Sequence, residues 1–477
     1  MASIAISNSS PSKETSNTRK KISLAPIPGF PELSVNENIV MNNIQCQIRR
    51  VYELYGYMPL DTRLVETDTV LKQKGIASKE LYSLNWLSKG KEYETHENRR
   101  VLALRFDLTV PLARYIGQNK NTLTFPFKRY QIQKVYRAEG HKVSQGRFNE
   151  FYQSDIDVIG TGSLDLSYDS EFPAIVYDIF KNVMNIDRFI MRISNRKLLE
   201  GLFKEYGIND VKKIKRAVKI VDDIEKVNEE TTTARLGEIG MTAENAVKLL
   251  GFFKTMDSMT PTAAIAFLRE QDFKNKSVNE GIEELDHVVT GVIANNVSEQ
   301  YFKVDPRIAR GLDYYTGTVY ETNLLDHPEI GSVCSGGRYN DLVSTLTGDE
   351  NDIYPGVGLS IGLSRLIPTL IQEGYLVANK QTVASILVTC QDKKYISTYQ
   401  RIGSELRAAG LNVDVYLNKK TKLAKQLDYA NKKGFRYVII ANKFELVDNK
   451  VIVRDMASSE QKEVLISDLV KYFTSSE

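Results

Sequence analysis

A chain of 477 residues exceeds what one ordinary hydrophobic core can hold and calls for two or three domains. With 42% hydrophobic and 26% charged residues it has a globular composition, and an excess of only three basic over acidic side chains excludes an overall field of the kind that marks a polyanion binder, though not a local basic surface. Cys46, Cys334 and Cys390 lie far apart and the four histidines have no ligand spacing, which argues against a disulfide framework or a zinc cluster and for a reducing compartment.

Residues 1–22 are rich in Ser, Asn, Thr and Lys, bury almost nothing, and are expected to form a disordered tail. They lack the apolar block of a secretory signal, and no later apolar run approaches membrane-spanning length, so a cytoplasmic chain with no membrane partner is expected. Ser34 followed by Glu37 makes a capping box, and Val40, Ile44, Ile48, Val51 and Tyr55 form a helical stripe that Gly56 stops. An extended segment follows from Tyr57 to Val65, and the charged run Lys89 to Arg100 reads as a loop or hairpin tip. Leu102 to Thr109 alternates like a strand, with Arg105, Asp107 and Thr109 together on its polar face.

Tyr130 to Arg137 and Phe148 to Ile159 alternate in the same way around a segment with no apolar period, which predicts a long-looped antiparallel hairpin. On its second strand Ile156 and Val158 share one face, while Phe151, Gln153, Asp155 and Asp157 share the other. Such a polar face is either the solvated side of a sheet or the floor of a pocket, and the hairpin alone leaves both open. Past Asp165 the pattern turns helical, and residues 195–300 read as a mostly helical block inserted between two sheet-forming regions. The sheet resumes at Arg310 to Leu324, Gly331 to Leu342 and Gly356 to Ile361, the last running into a helix with Arg365 in its first turn. From residue 381 onward, short apolar strands alternate with the helical stretches Tyr395 to Ala409 and Leu423 to Lys433, which predicts a separate α/β domain with parallel pairing. Lys419, Lys420, Lys422 and Lys425 lie in a loop of this domain.

Arg137, Arg310 and Arg365 sit in or beside strand faces or a helix start, and three guanidinium groups brought together would clamp an anion with a geometry lysine cannot reproduce. Arg365 near a helix N-terminus suits phosphate. There is no phosphate-loop lysine motif, and Gly356, Gly358 and Gly362 have the wrong spacing for a dinucleotide fingerprint.

The segments RFDLTVPLARY (Arg105 to Tyr115), KRYQIQKVYRAEG, GRFNEFYQSDIDVIG, RGLDYYTGTVYE, SVCSGGRYNDLV and GVGLSIGLSRL resemble the histidyl-tRNA synthetase family of class II aminoacyl-tRNA synthetases. The resemblance runs in order from about Leu24 to the end. It implies an α+β fold: a class II catalytic domain over residues 23–380, built on an antiparallel sheet flanked by helices and carrying the 195–300 helical insertion, then an α/β anticodon-binding domain over 381–477. It also implies a homodimer, L-histidine, ATP and tRNA(His) as partners, and magnesium held mainly through the ATP phosphates, with no metal site of the protein's own. By the same resemblance Arg137 holds the α-phosphate, Glu139 lies near the adenine, Phe151 stacks on it, and Arg365 holds the distal phosphates. Asp107, Thr109 and Gln153 take the amino group of histidine, Asp157 and Tyr315, with Tyr314 beside it, read the imidazole, and Arg310 lies between the histidine carboxylate and the α-phosphate. Arg137 and Arg310 are thereby the expected catalytic pair. The implied reaction is attack of the histidine carboxylate on ATP to give histidyl-adenylate, then transfer to the tRNA 3′ end. It needs no protein nucleophile, only positioning and charge neutralisation.

Two departures stand out: Arg63 occupies the usual place of the first-motif proline, and the loop from Gly140 to Gln145 lacks a proline often present there. The main rival is a non-catalytic, synthetase-like regulatory protein that senses histidine or uncharged tRNA. Such relatives typically lose the RGLDYYTG stretch, the motif arginines or the C-terminal domain, all of which this chain keeps.

Overall fold

The computed structural model describes residues 22–73, 80–85, 101–138, 147–224, 227–308, 315–418 and 422–475. The tail expected over most of 1–22, the run Lys89 to Arg100, Glu139 with the loop after it, Arg310, Tyr314, Lys419 and Lys420 lie outside the described residues. The first helix, Val35–Leu54, starts at the capping box: Glu37 Oε2 accepts the Ser34 backbone N–H at 2.8 Å, and Ser34 Oγ accepts that of Glu37. Gly56, at φ +77°, turns the chain away just past its end. Met41, Ile44, Ile48, Val51 and Tyr52 form the buried stripe, whereas Val40 and Tyr55 lie half-buried at its margin. Steps of four residues advance more than one full turn, so a strict fourfold spacing drifts off the buried face. The Tyr55 hydroxyl also finds its partner at the edge, donating to Asp178 at 2.7 Å.

The strands up to residue 362 are β1 (Met58–Pro59), β2 (Val65–Thr67), β3 (Ser83–Leu84), β4 (Leu102–Leu104), β5 (Phe127–Tyr136), β6 (Glu150–Ile159), β7 (Phe189–Asn195), β8 (Phe302–Val304), β9 (Tyr315–Leu324), β10 (Ser332–Tyr339) and β11 (Gly356–Gly362). The main sheet runs β1-β5-β6-β11-β10-β9-β7-β8, antiparallel through its centre with a parallel pair at each edge, and β2-β4-β3 form a small antiparallel sheet. β5 and β6 are the expected hairpin, in register from Phe127 opposite Ile159 to Tyr136 opposite Glu150. Ile156 and Val158 enter the core, as their alternation predicts.

The expected strand from Leu102 to Thr109 stops at Leu104, and a helix begins at Thr109. Asp107 Oδ1 accepts the Val110 backbone N–H at 2.9 Å, a local bond that draws the chain out of the strand and into the helix. Arg105 therefore does not share a face with Asp107: its guanidinium turns to the carbonyls of Thr62 and Lys134 and to Gln133 Oε1.

Six helices lie between Arg196 and Ala294 among the described residues, each preceded by an Asn, Asp or Thr whose side chain accepts a first-turn N–H. Their apolar faces, including Leu198, Leu202, Leu249, Phe253, Leu285 and Val292, join one continuous core with the sheet and the first helix. Behind the sheet, the Arg338 guanidinium of β10 grips Asp169 with Nη2 to Oδ1 at 2.6 Å and also donates to the carbonyls of Leu164 and Asp165.

After residue 380 the strands are β12 (Ile386–Val388), β13 (Val413–Val415), β14 (Tyr437–Ile440), β15 (Lys450–Asp455) and β16 (Gln461–Leu465), in the order β13-β12-β14-β15-β16. The first three are parallel as expected, but β15 and β16 add on antiparallel, so this sheet is mixed. Their lysines, arginine, aspartate and glutamate dilute the apolar signal by which edge strands would be noticed. The core of this part, around Ile386, Val388, Tyr399, Ile439 and Phe473 on one face of the sheet and Leu387, Val438 and Phe435 on the other, contains no residue from the first 380.

Candidate active site

Because successive side chains of a strand point to opposite faces, Gln153, Asp155 and Asp157 of β6 all meet the open face of the main sheet, while the intervening Ser154 faces back and hydrogen bonds the Tyr52 hydroxyl at 2.8 Å. Above them lies a cavity of about 270 Å³. Asp107, Thr109, Arg137 and Tyr315 also line it, so seven of the residues singled out from the sequence share one pocket.

Asp157 is 3% exposed and fully engaged: its Oδ2 lies 2.7 Å from Arg129 Nη2, and its Oδ1 accepts from the Tyr339 hydroxyl at 2.8 Å. Arg129, fully buried, stands opposite Asp157 in the β5–β6 register and also donates to the Leu108 carbonyl, tying the strand pair to the turn that carries Asp107 and Thr109. Sequence reading passed over Arg129, although polar residues at 129, 131 and 133 alternate with Tyr130 and Ile132 and so mark the same face. Tyr339, Ser335, Ser360, Gly358 and Glu80 were missed as well. Asp155, noticed on the face but given no role, is buried, and burial pushes its carboxyl up to about 7, opposed by Arg129 and reinforced by Asp157.

Arg137 follows β5, where its backbone N–H donates to the Asn149 carbonyl at 2.8 Å. Its Nε donates to the Phe106 carbonyl, and its guanidinium lies 4.4 Å from the Phe106 ring centre and 5.1 Å from that of Phe151. The broken strand of the preceding section thus has a use, since the turn from Phe106 to Thr109 supplies a platform for the arginine, a carboxylate and a helix start to the same pocket. Phe151 itself lines a second, larger hollow with Gly29, Phe30, Tyr152, Ser364 and Pro368.

Arg365 is in the first turn of the helix Leu363–Gln372, as expected, with Nη1 donating to the Ser332 carbonyl at 3.0 Å. It does not line the 270 Å³ cavity but follows Gly362, the partner of Gln153 in the β6–β11 register. Arg137 thus meets Phe151 of β6, while the Arg365 guanidinium turns to the start of β10.

The glycines of β10 and β11 are demanded by close approach. A Cβ on Gly358 would overlap the Asp157 carboxylate, and one on Gly336 would overlap the Gly358 carbonyl. Gly358→Ala is expected to cost about 1–3 kcal/mol of stability by forcing Asp157 off Arg129, read as a lower denaturation midpoint; an unchanged midpoint would show that the strand yields freely.

The family model described as histidyl-tRNA synthetase matches residues 29–366, and that described as anticodon binding domain matches 382–476. A histidine–tRNA ligase of Nostoc sp. is 40% identical over 460 residues, covering 94% of this chain and 97% of the relative. One of Clostridium tetani is 39% identical over 447 residues, covering 93% and 97%. The crystal structure of histidyl-tRNA synthetase from Nostoc sp. superposes with a TM-score of 0.85 at 38% identity, over 96% of this chain and all of that one.

Proposed function

The chain belongs to the histidyl-tRNA synthetase family, and we propose that its 270 Å³ pocket is where histidine is joined to ATP. The protein is an ATP-dependent histidine–tRNA ligase: it activates L-histidine to histidyl-adenylate and passes the histidyl group to the 3′ end of tRNA(His), releasing pyrophosphate and AMP. The observation that carries the ligase over the regulatory alternative is coverage, since the match to ligases of two distant bacteria includes both the catalytic part and the anticodon-binding part. We divide the chain into a catalytic domain over 23–380 and an anticodon-binding domain over 381–477, a reading supported by family matches that fall on either side of residue 380.

In the site, Asp107, Thr109 and Gln153 receive the ammonium of histidine, and Tyr315, with Tyr314 beside it and Asp157 below, faces the imidazole. Arg137 and Arg310 neutralise the α-phosphate as the substrate carboxylate oxygen bonds to phosphorus and the bond to pyrophosphate breaks. Glu139 and Phe151 hold the adenine, and Arg365 holds the distal phosphates. A guanidinium already seated between two rings and a carbonyl needs little reorganisation when charge builds at phosphorus, which supports this role for Arg137. Magnesium, a hard cation that favours oxygen ligands, would be held mainly through ATP and would supply further charge neutralisation. The working unit is a homodimer in the cytoplasm; no helix among the described residues is long and apolar enough to cross a membrane.

The test is pyrophosphate exchange into ATP with each standard amino acid in turn. Exchange is expected with histidine alone; exchange driven by another amino acid, or histidine binding without exchange, would overturn the reading.

A further inference from the structure

The turn from Arg105 to Thr109 is held at both ends by arginine. Arg129 Nη2 donates to the Leu108 carbonyl at 3.1 Å and, with the Asp107 bond to the Val110 N–H, fixes the end that carries Asp107 and Thr109. The other end is held by Arg105, which is 2% exposed. Its backbone N–H donates to the Leu64 carbonyl at 3.0 Å, and its own carbonyl accepts the Tyr136 N–H at 3.0 Å. The side chain spans the same two neighbours: Nη1 donates to the Thr62 carbonyl at 3.1 Å, Nε to the Lys134 carbonyl at 2.9 Å, and Nη2 to Gln133 Oε1. Thr62 and Leu64 precede β2, while Gln133, Lys134 and Tyr136 form the outer end of β5, the strand that Arg137 follows.

All three acceptors of the side chain are neutral, and burial holds the Arg105 pKa below the ordinary arginine value. Burying a cation on neutral oxygens is an expensive way to join two segments if only the fold is served. What a guanidinium offers, and no neutral side chain does, is several donors in one rigid plane that engage both segments at once. The next residue, Phe106, supplies two of the contacts that seat Arg137: its carbonyl accepts Arg137 Nε at 3.2 Å, and its ring lies 4.4 Å from the guanidinium. Play between residues 105–106 and 136–137 would therefore turn Arg137.

We propose that Arg105 is a positioning residue for the adenylation step: by clasping the turn to the outer end of β5 it fixes where the Arg137 guanidinium points. The inference rests on the proposed function, which gives Arg137 the α-phosphate. Because Arg129 and the Val110 bond hold the histidine-binding end separately, loss of Arg105 acts on the chemistry at phosphorus and spares amino-acid binding. A charge aimed at a transition state acts fully only when its position is held to roughly half an ångström.

Arg105→Lys keeps the charge and discards the fork. Assayed well below its denaturation midpoint, the variant is expected to lose about 100-fold in kcat for histidine-dependent pyrophosphate exchange, with KM and calorimetric affinity for histidine within about twofold of wild type. Made in the Arg137→Ala background, the same change should cost less than about threefold, because the group it aligns is already gone. Gln133→Met withdraws one acceptor of the clasp from a half-buried position and should lower kcat about tenfold with KM for histidine unchanged. An Arg105→Lys enzyme that loses only its midpoint, or that loses kcat equally in both backgrounds, makes Arg105 structural and overturns the inference. Should Arg105→Lys fail to fold, Gln133→Met decides: a loss of kcat that vanishes in the Arg137→Ala background supports the inference, and an intact kcat overturns it. Absence of histidine-dependent exchange in wild type instead overturns the proposed function beneath it.

Discussion

Arg137→Ala is expected to lower the rate of histidine-dependent pyrophosphate exchange by about 10³-fold, with the fold and the affinity for histidine retained. The side chain is anchored on its own Nε by the Phe106 carbonyl and is flanked by the Phe106 and Phe151 rings, so its outer nitrogens are directed without cost in side-chain freedom at the moment of reaction. Truncation removes charge where it develops, at phosphorus, and takes with it one half-buried side chain stacked on two rings. Arg137→Lys should recover little, because a point charge on a flexible stem reproduces neither the stacking nor the fork. Exchange kinetics at saturating histidine, with histidine binding followed separately by calorimetry, check it. A rise in KM alone, with kcat preserved, would make Arg137 a binding residue and no more.

The largest loss of stability is expected from Asp169→Asn. Asp169 is fully buried, and Arg338 places five donor contacts around it and the neighbouring carbonyls of Leu164 and Asp165. Removing the negative partner strands a guanidinium in the interior and is expected to cost about 3–5 kcal/mol, read as a shift of the denaturant midpoint. Replacing both residues with apolar side chains of similar volume should recover most of that loss, because the single change is dominated by the unpaired charge. A single-variant loss below about 1 kcal/mol would mean that water reaches Arg338 and the pair is not closed.

The hairpin at the centre is legible because Tyr130 and Ile132, and Ile156 and Val158, alternate with polar residues, and alternation decides which side chains share a face. That is why Gln153, Asp155 and Asp157 could be placed together, and why Ile156 and Val158 could be sent to the core. The segment from Leu102 misled for a local reason: Asp107 can bond its own chain three residues on, and the pattern of apolar residues does not register such a competitor. Arg129 escaped for the opposite reason, since its meaning lies across the strand pair and depends on a register that only pairing reveals. Likewise Tyr339 and Ser360 come from β10 and β11, each distant along the chain from the residues they touch. The antiparallel strands β15 and β16 were lost among charges that a sheet edge tolerates.

The helices between Arg196 and Ala294 share one continuous apolar core with the sheet, whereas the core after residue 380 is closed on its own residues. Evolution therefore faces two different problems in this one polypeptide. The terminal unit can be traded between lineages like a cassette, needing only a new join, while any exchange of the helical block must re-solve its packing against β7, β8 and β9 at the same stroke.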